Sequence, residues 1–264
     1  MRLTLLSEWT KLRSQRGALI ALAAMGLLMV GMCAFFASQS ETDAAFGGDD
    51  DVVQLGLAGI VFAELAAVAF GASLITSEFS TGMFRTTLTA TQGRLRVLVS
   101  KAVVLSVVAF PFALVATAVA FVLAESLLRD RGYTVPAYPH VSLGDGPALR
   151  AVIGTALLLT AYCLIALGIA TIVRHAGAAN AIGIGLLFMP ILMLGALPDG
   201  VRERFEQLTP LAGMAIQSTT GRMLSNFDGT RGMPIGPWQG LGVAFAWAVG
   251  TLAVGYASMR RRDA

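Results

Sequence analysis

The chain has 264 residues, 56% of them hydrophobic and only 13% charged, with a formal net charge of +3 and a mean hydropathy of +0.72. Soluble domains carry about 25% charged residues, so this composition cannot cover a water-facing surface and excludes a soluble enzyme or binding module. The net charge sums two sides of a membrane, and no soluble stretch is long enough for a nucleic-acid-binding module, so no nucleic-acid partner is expected.

In chain order, the stretch before the first apolar run predicts an amphipathic helix over residues 1–16. Leu5, Trp9 and Leu12 recur at spacings of four and three, while Glu8, Lys11 and Arg13 face elsewhere. Such a helix lies in the headgroup layer, where Trp9 suits the interface; a plain polar tail is the alternative. Six apolar segments of about 20 residues follow, the length that crosses a bilayer as a helix. They run over about 17–37, 52–75, 102–124, 151–173, 178–197 and 238–259. Backbone groups in lipid must be satisfied within their own segment, so these are helices, and the ten-residue alternating segments of a barrel are absent. The first run is too long for a signal-peptide core and is expected to remain uncleaved. The fold class predicted is an all-α integral membrane protein of about six spans, forming a single transmembrane domain over 1–264.

Arginine and lysine placement sets the orientation. The N-terminus, the loops after spans two and four and the C-terminus together carry twelve Lys or Arg against three acids; the other side carries seven arginines and twelve acids. Both termini are therefore expected in the cytoplasm. On the outer side, residues 198–237 form the longest loop, read as one or two short interfacial or re-entrant helices. Lysine is rare, only Lys11 and Lys101 against seventeen arginines, which points to a GC-rich bacterial genome. Cys33 and Cys163 sit in apolar runs and read as packing residues.

Candidate functional residues are few. His140 and His175 fall on opposite membrane faces, and no metal-ligand spacing, nucleophile motif or phosphate-binding loop occurs. No catalytic residue and no metal are expected. Glu64 is the one charge deep in a span. A buried carboxylate at mid-membrane is costly, so it faces protein or water. It serves either a substrate or ion pathway, or helix packing through a hydrogen bond to a polar neighbour such as Asn180. The inner segment 76–96 is the most informative. If it is helical, Glu78, Gly82 and Arg85 share one face at spacings of four and three, leaving Phe79, Met83 and Phe84 for lipid or a partner. Gly82 permits close approach of another surface. The segment reads either as a docking site for a soluble protein or as a solvated connector.

The pattern Glu78-x-x-x-Gly82 followed by Arg94 resembles the coupling helix of type-2 ATP-binding-cassette (ABC) exporter permeases. Ser7-Glu8-Trp9-x-Lys11-Leu12-Arg13 resembles the N-terminal connecting helix of actinobacterial members, and Leu208-x-Pro210 sits where such permeases carry short outer helices. The chain departs from the commonest pattern at Met83, where Thr or Ser is frequent, and at Thr91-Gln92-Gly93, where proline often follows. The resemblance implies a bacterial plasma-membrane permease subunit that binds no cofactor itself. Cytoplasmic ATPase subunits would hold ATP and magnesium, and a second copy or sister permease would complete a dimer among the membrane lipids. Glu78, Phe79, Gly82, Met83 and Arg85 would lie in or beside the ATPase contact. An amphipathic or lipid-like export substrate fits the apolar spans. An ion-coupled transporter acting alone, or a non-transporting scaffold or immunity protein, is the competing expectation.

Overall fold

The computed structural model describes residues 2–40, 51–83, 93–135, 141–193, 197–219 and 235–262. In chain order it contains α1 (Arg2–Ser14), α2 (Arg16–Gln39), α3 (Val52–Gly56), α4 (Ile60–Ser80), α5 (Arg94–Asp130), α6 (Gly146–Val173), α7 (Ala176–Met193), α8 (Asp199–Leu208), a 3₁₀ segment (Pro210–Gln217) and α9 (Pro237–Arg262). No strand occurs among the described residues. Six helices, α2, α4, α5, α6, α7 and α9, are long and apolar enough to cross a membrane. The protein is an all-α, multi-pass integral membrane protein.

The helix ends follow local chemistry. Asp51 caps α3 by accepting from the Gln54 N–H, as N-cap carboxylates do. Pro147 stands in the first turn of α6, where its missing N–H costs nothing. The second span is not one helix: α3 stops at Gly56 and α4 starts at Ile60. Beside the break α2 packs closely: a side chain at Gly59 would collide with the Met29 carbonyl and the Cys33 amide. At 37 residues, α5 is roughly 55 Å long, well beyond the thickness of the hydrocarbon core.

The centre of the bundle is α6. It packs against α4, α5, α7, α9 and the 3₁₀ segment, and its Leu158, Leu159, Ala161, Ile165, Ala166 and Leu167 are wholly buried. Small residues let backbones touch there, as membrane helix packing favours. A β-carbon on Gly71 would overlap the Cys163 carbonyl oxygen, and one on Gly168 would overlap Thr251.

The segment after α8 goes inward. Every residue of Pro210–Gln217 is buried. It is bonded at its start by Trp247 Nε1 donating to the Leu208 carbonyl at 2.8 Å and by the Tyr162 hydroxyl donating to the Pro210 carbonyl at 3.4 Å. At its exit, Gln217 Nε2 donates to Thr155 Oγ1 at 3.1 Å, Arg150 Nη2 donates to the Ser218 carbonyl at 2.6 Å, and the Asp51 carboxylate accepts from the Thr219 N–H and hydroxyl.

Candidate functional site

The opposite end of the bundle gathers α1, the end of α4, the start of α5 and the end of α6. Its centre is a buried four-residue ionic cluster. Lys101 of α5, 1% exposed, donates to Glu8 Oε2 at 2.6 Å, to Glu78 Oε1 at 2.7 Å and to the Leu74 carbonyl at 3.2 Å. Three acceptors meet the three donors of an ammonium. Lys11 of α1 donates to Glu78 Oε1 at 2.8 Å and to Glu8 Oε1 at 2.9 Å. Two carboxylates and two ammonium groups cancel, which is what makes the burial tolerable. Burial alone pulls the Lys11 ammonium down, but hydrogen bonds and charge from Glu78 and Glu8 outweigh it and hold Lys11 above the ordinary lysine value of 10.5.

The residues on either side of Glu78 are held as well. Ser77 Oγ accepts from Gln15 Nε2, at the joint between α1 and α2, at 2.6 Å. The Arg174 guanidinium sits 5.3 Å from the centroid of the Phe79 ring, within cation–π range. Ser77, Glu78 and Phe79 thus tie the end of α4 to α1, α5 and α6. Arg174 caps α6 in the left-handed conformation, φ 62°, which costs a non-glycine residue roughly 1–2 kcal/mol. Arg94 at the start of α5 reaches the Arg260 carbonyl of α9 at 3.4 Å.

Beyond this anchor the chain becomes exposed. The helix α4 ends at Ser80, Gly82 turns with φ 69° and open space around it, and Met83 is 39% exposed. A continuous helix through Gly82 is therefore not formed. Glu78 is wholly buried and points into the bundle, because two lysines wait there. Arg85 lies outside the described residues. On α1, Leu12 is buried and Leu5 packs against the core, but Trp9 is 42% exposed and the residue between the two leucines on the inner face is Glu8. The sequence pattern put Glu8 outside; the Lys101 ammonium draws it in.

The sequence reading missed Glu8, Gln15, Lys101 and Arg174 as site residues. One signal was available for the cluster: the chain's only two lysines are the two in it. A compact ammonium fits three acceptors that a planar guanidinium would not.

In the second span, Glu64 is 1% exposed. Its Oε1 has no hydrogen-bond partner, nor does the buried Oδ1 of Asn180. The Glu64–Asn180 bond considered from the sequence is not made. Among the described residues no three His, Cys, Asp or Glu side chains converge on a metal position.

Comparison with known families decides what kind of membrane protein this is. The sequence profile of the ABC-2 family transporter proteins matches residues 3–264. The chain belongs to the ABC-2 transporter family. It is the membrane permease component of an ABC transporter, a transport subunit and not itself an enzyme; such a permease in bacteria lies in the plasma membrane. No curated protein matches the chain in sequence closely enough to narrow this further.

Proposed function

We propose that this permease is the membrane half of an exporter driven by separate cytoplasmic ABC ATPase subunits, with its basic end in the cytoplasm. The observation that supports this most directly is the anchoring of Ser77, Glu78 and Phe79 by three different elements immediately before an exposed turn. A turn held that way is a handle: a partner pressing on it moves α1, α4, α5 and α6 together. The ATPase contact falls on the exposed Gly82 and Met83, joined by Arg85, while Glu78 and Phe79 act from behind it. Gly82 lets a partner surface approach closely.

ATP shifts the equilibrium because the closed ATPase pair prefers one permease conformation, and the shift equals the difference in affinity for the two states. Two copies of the chain, or this chain with a sister permease, would enclose the path. The spans offer almost no deep polar group apart from Glu64, which favours an amphipathic or lipid-like substrate over a sugar or an ion.

Affinity purification of the tagged chain from its native host, in mild detergent, tests the reading. Wild type should retain an ABC ATPase, and Gly82→Trp and Met83→Glu should lose it while remaining folded. An intact wild-type protein that brings down no ATPase contradicts the reading; an ATPase retained equally by both variants places the contact elsewhere.

A further inference from the structure

Arg174 is the one non-glycine residue with positive φ among the described residues. It ends α6, at a capping position that glycine normally fills. A strained residue persists only where its surroundings over-determine it, and such outliers concentrate at switches. Here the surroundings are the Phe79 ring beneath its guanidinium, one residue from buried Glu78 and directly before the exposed turn that starts at Ser80.

Three membrane helices meet at the anchor of that turn, and they differ in how well they carry motion. The helix α4 is shorter, starting only at Ile60 after the break that follows Gly56, and α5 contains Pro111. In α6 the only proline stands in the first turn, and the remaining helix runs unbroken through the centre of the bundle. At 28 residues it is roughly 42 Å long. Its far half carries Arg150 and Thr155, which hold the buried 3₁₀ segment at its exit, and its middle carries Tyr162, which holds the segment at its start.

We propose that Arg174 is a positioning residue that passes displacement of the Ser80–Met83 turn into α6, and through it to the 3₁₀ segment at the other face of the membrane. This rests on the ATPase-driven reading above. The stacked Phe79–Arg174 pair is the joint, and α6 is the rod. When the turn moves, Phe79 carries the guanidinium and hence the end of α6. The bonds from Arg150 and Tyr162 then load the buried 3₁₀ segment.

The test uses the full chain with its co-purified ATPase in lipid nanodiscs. Hydrogen exchange over residues 210–219 is compared between the nucleotide-free and the ATP–vanadate-trapped complex. Wild type should show a nucleotide-dependent change there. A cation–π contact is strong enough to bias an equilibrium by about threefold, so Phe79→Leu and Arg174→Gly should reduce that change by about this factor. Phe79→Trp, which keeps a ring under the cation, should preserve it. Arg174→Gly separates the two roles of the residue: glycine suits the left-handed backbone, so thermal stability should hold or rise while the response falls. A purely structural cap predicts the reverse, an undiminished response. A wild-type response retained in Arg174→Gly overturns the proposal. So does a wild-type complex that contains the ATPase but shows no change at 210–219. A wild type without any ATPase removes the ATPase-driven exporter reading, and the proposal with it.

Discussion

Replacing Lys101 with methionine keeps the buried stem and removes only the ammonium. That group donates to Glu8, to Glu78 and to the Leu74 carbonyl. Without it, two buried carboxylates face the single ammonium of Lys11, and Glu78 Oε2 already has no partner. Removing one partner from a buried ion pair costs about 3–5 kcal/mol, because the remaining charge is left desolvated and uncompensated. The same change at an exposed pair costs at most about 1 kcal/mol. Lys101 and Glu78 are almost fully buried, so the larger figure applies. Glu8 is the partner on α1, so part of the cost should appear as release of that helix. Lys101→Met/Glu8→Gln restores neutrality and should recover about half of the loss, since contacting residues do not add independently. Lys101→Arg should also be poorly tolerated, its planar fork fitting three convergent acceptors badly. The assay is reversible unfolding in mixed detergent–SDS micelles followed by tryptophan fluorescence. A Lys101→Met protein within about 1 kcal/mol of wild type would refute the reasoning, as would a double variant worse than the sum of the singles.

Other consequences follow from the same geometry. Gly71→Ala should destabilise the bundle by about 1–3 kcal/mol or more by forcing α4 away from the Cys163 carbonyl. Gly31→Ala, in open space on α2, should be neutral or stabilising by up to about 1 kcal/mol, and paired thermal melts read both. For Lys11, a folded pKa above 10.5 means its stabilisation is complete below that value and is lost as pH rises through the folded one. Trp9 fluorescence should therefore report release of α1 only on strongly alkaline titration. Lys11→Met should abolish that transition.

Hydropathy made the six spans legible because crossing a membrane needs a run of about 20 apolar residues whatever the tertiary packing. It did not reveal the interruption after Gly56. Leu57, Ala58 and Gly59 are as apolar as their neighbours, and the close approach of α2 beside Gly59 leaves no mark in the hydropathy. The inner segment was recognisable as a site from Glu78 and Gly82, but its inner and outer faces were not. Helical spacing put Glu78 on one face with Gly82 and Arg85, and Glu8 on a polar face. Both turn inward because of Lys101, which lies 93 residues from Glu8 and 23 from Glu78 in the chain. The Arg174–Phe79 contact was illegible for a similar reason. A left-handed arginine at a helix end breaks the local preference for glycine, and only the tertiary partner explains it.

In the proposed exporter, ATP-driven force enters at the exposed turn after α4. A photo-crosslinking amino acid at Met83, compared with one at Leu27, which is 74% exposed on a membrane span, tests it in the native membrane. The account predicts a covalent adduct between position 83 and an ABC ATPase, and none from position 27. An ATPase that co-purifies with the permease yet gives no adduct from position 83 would contradict it.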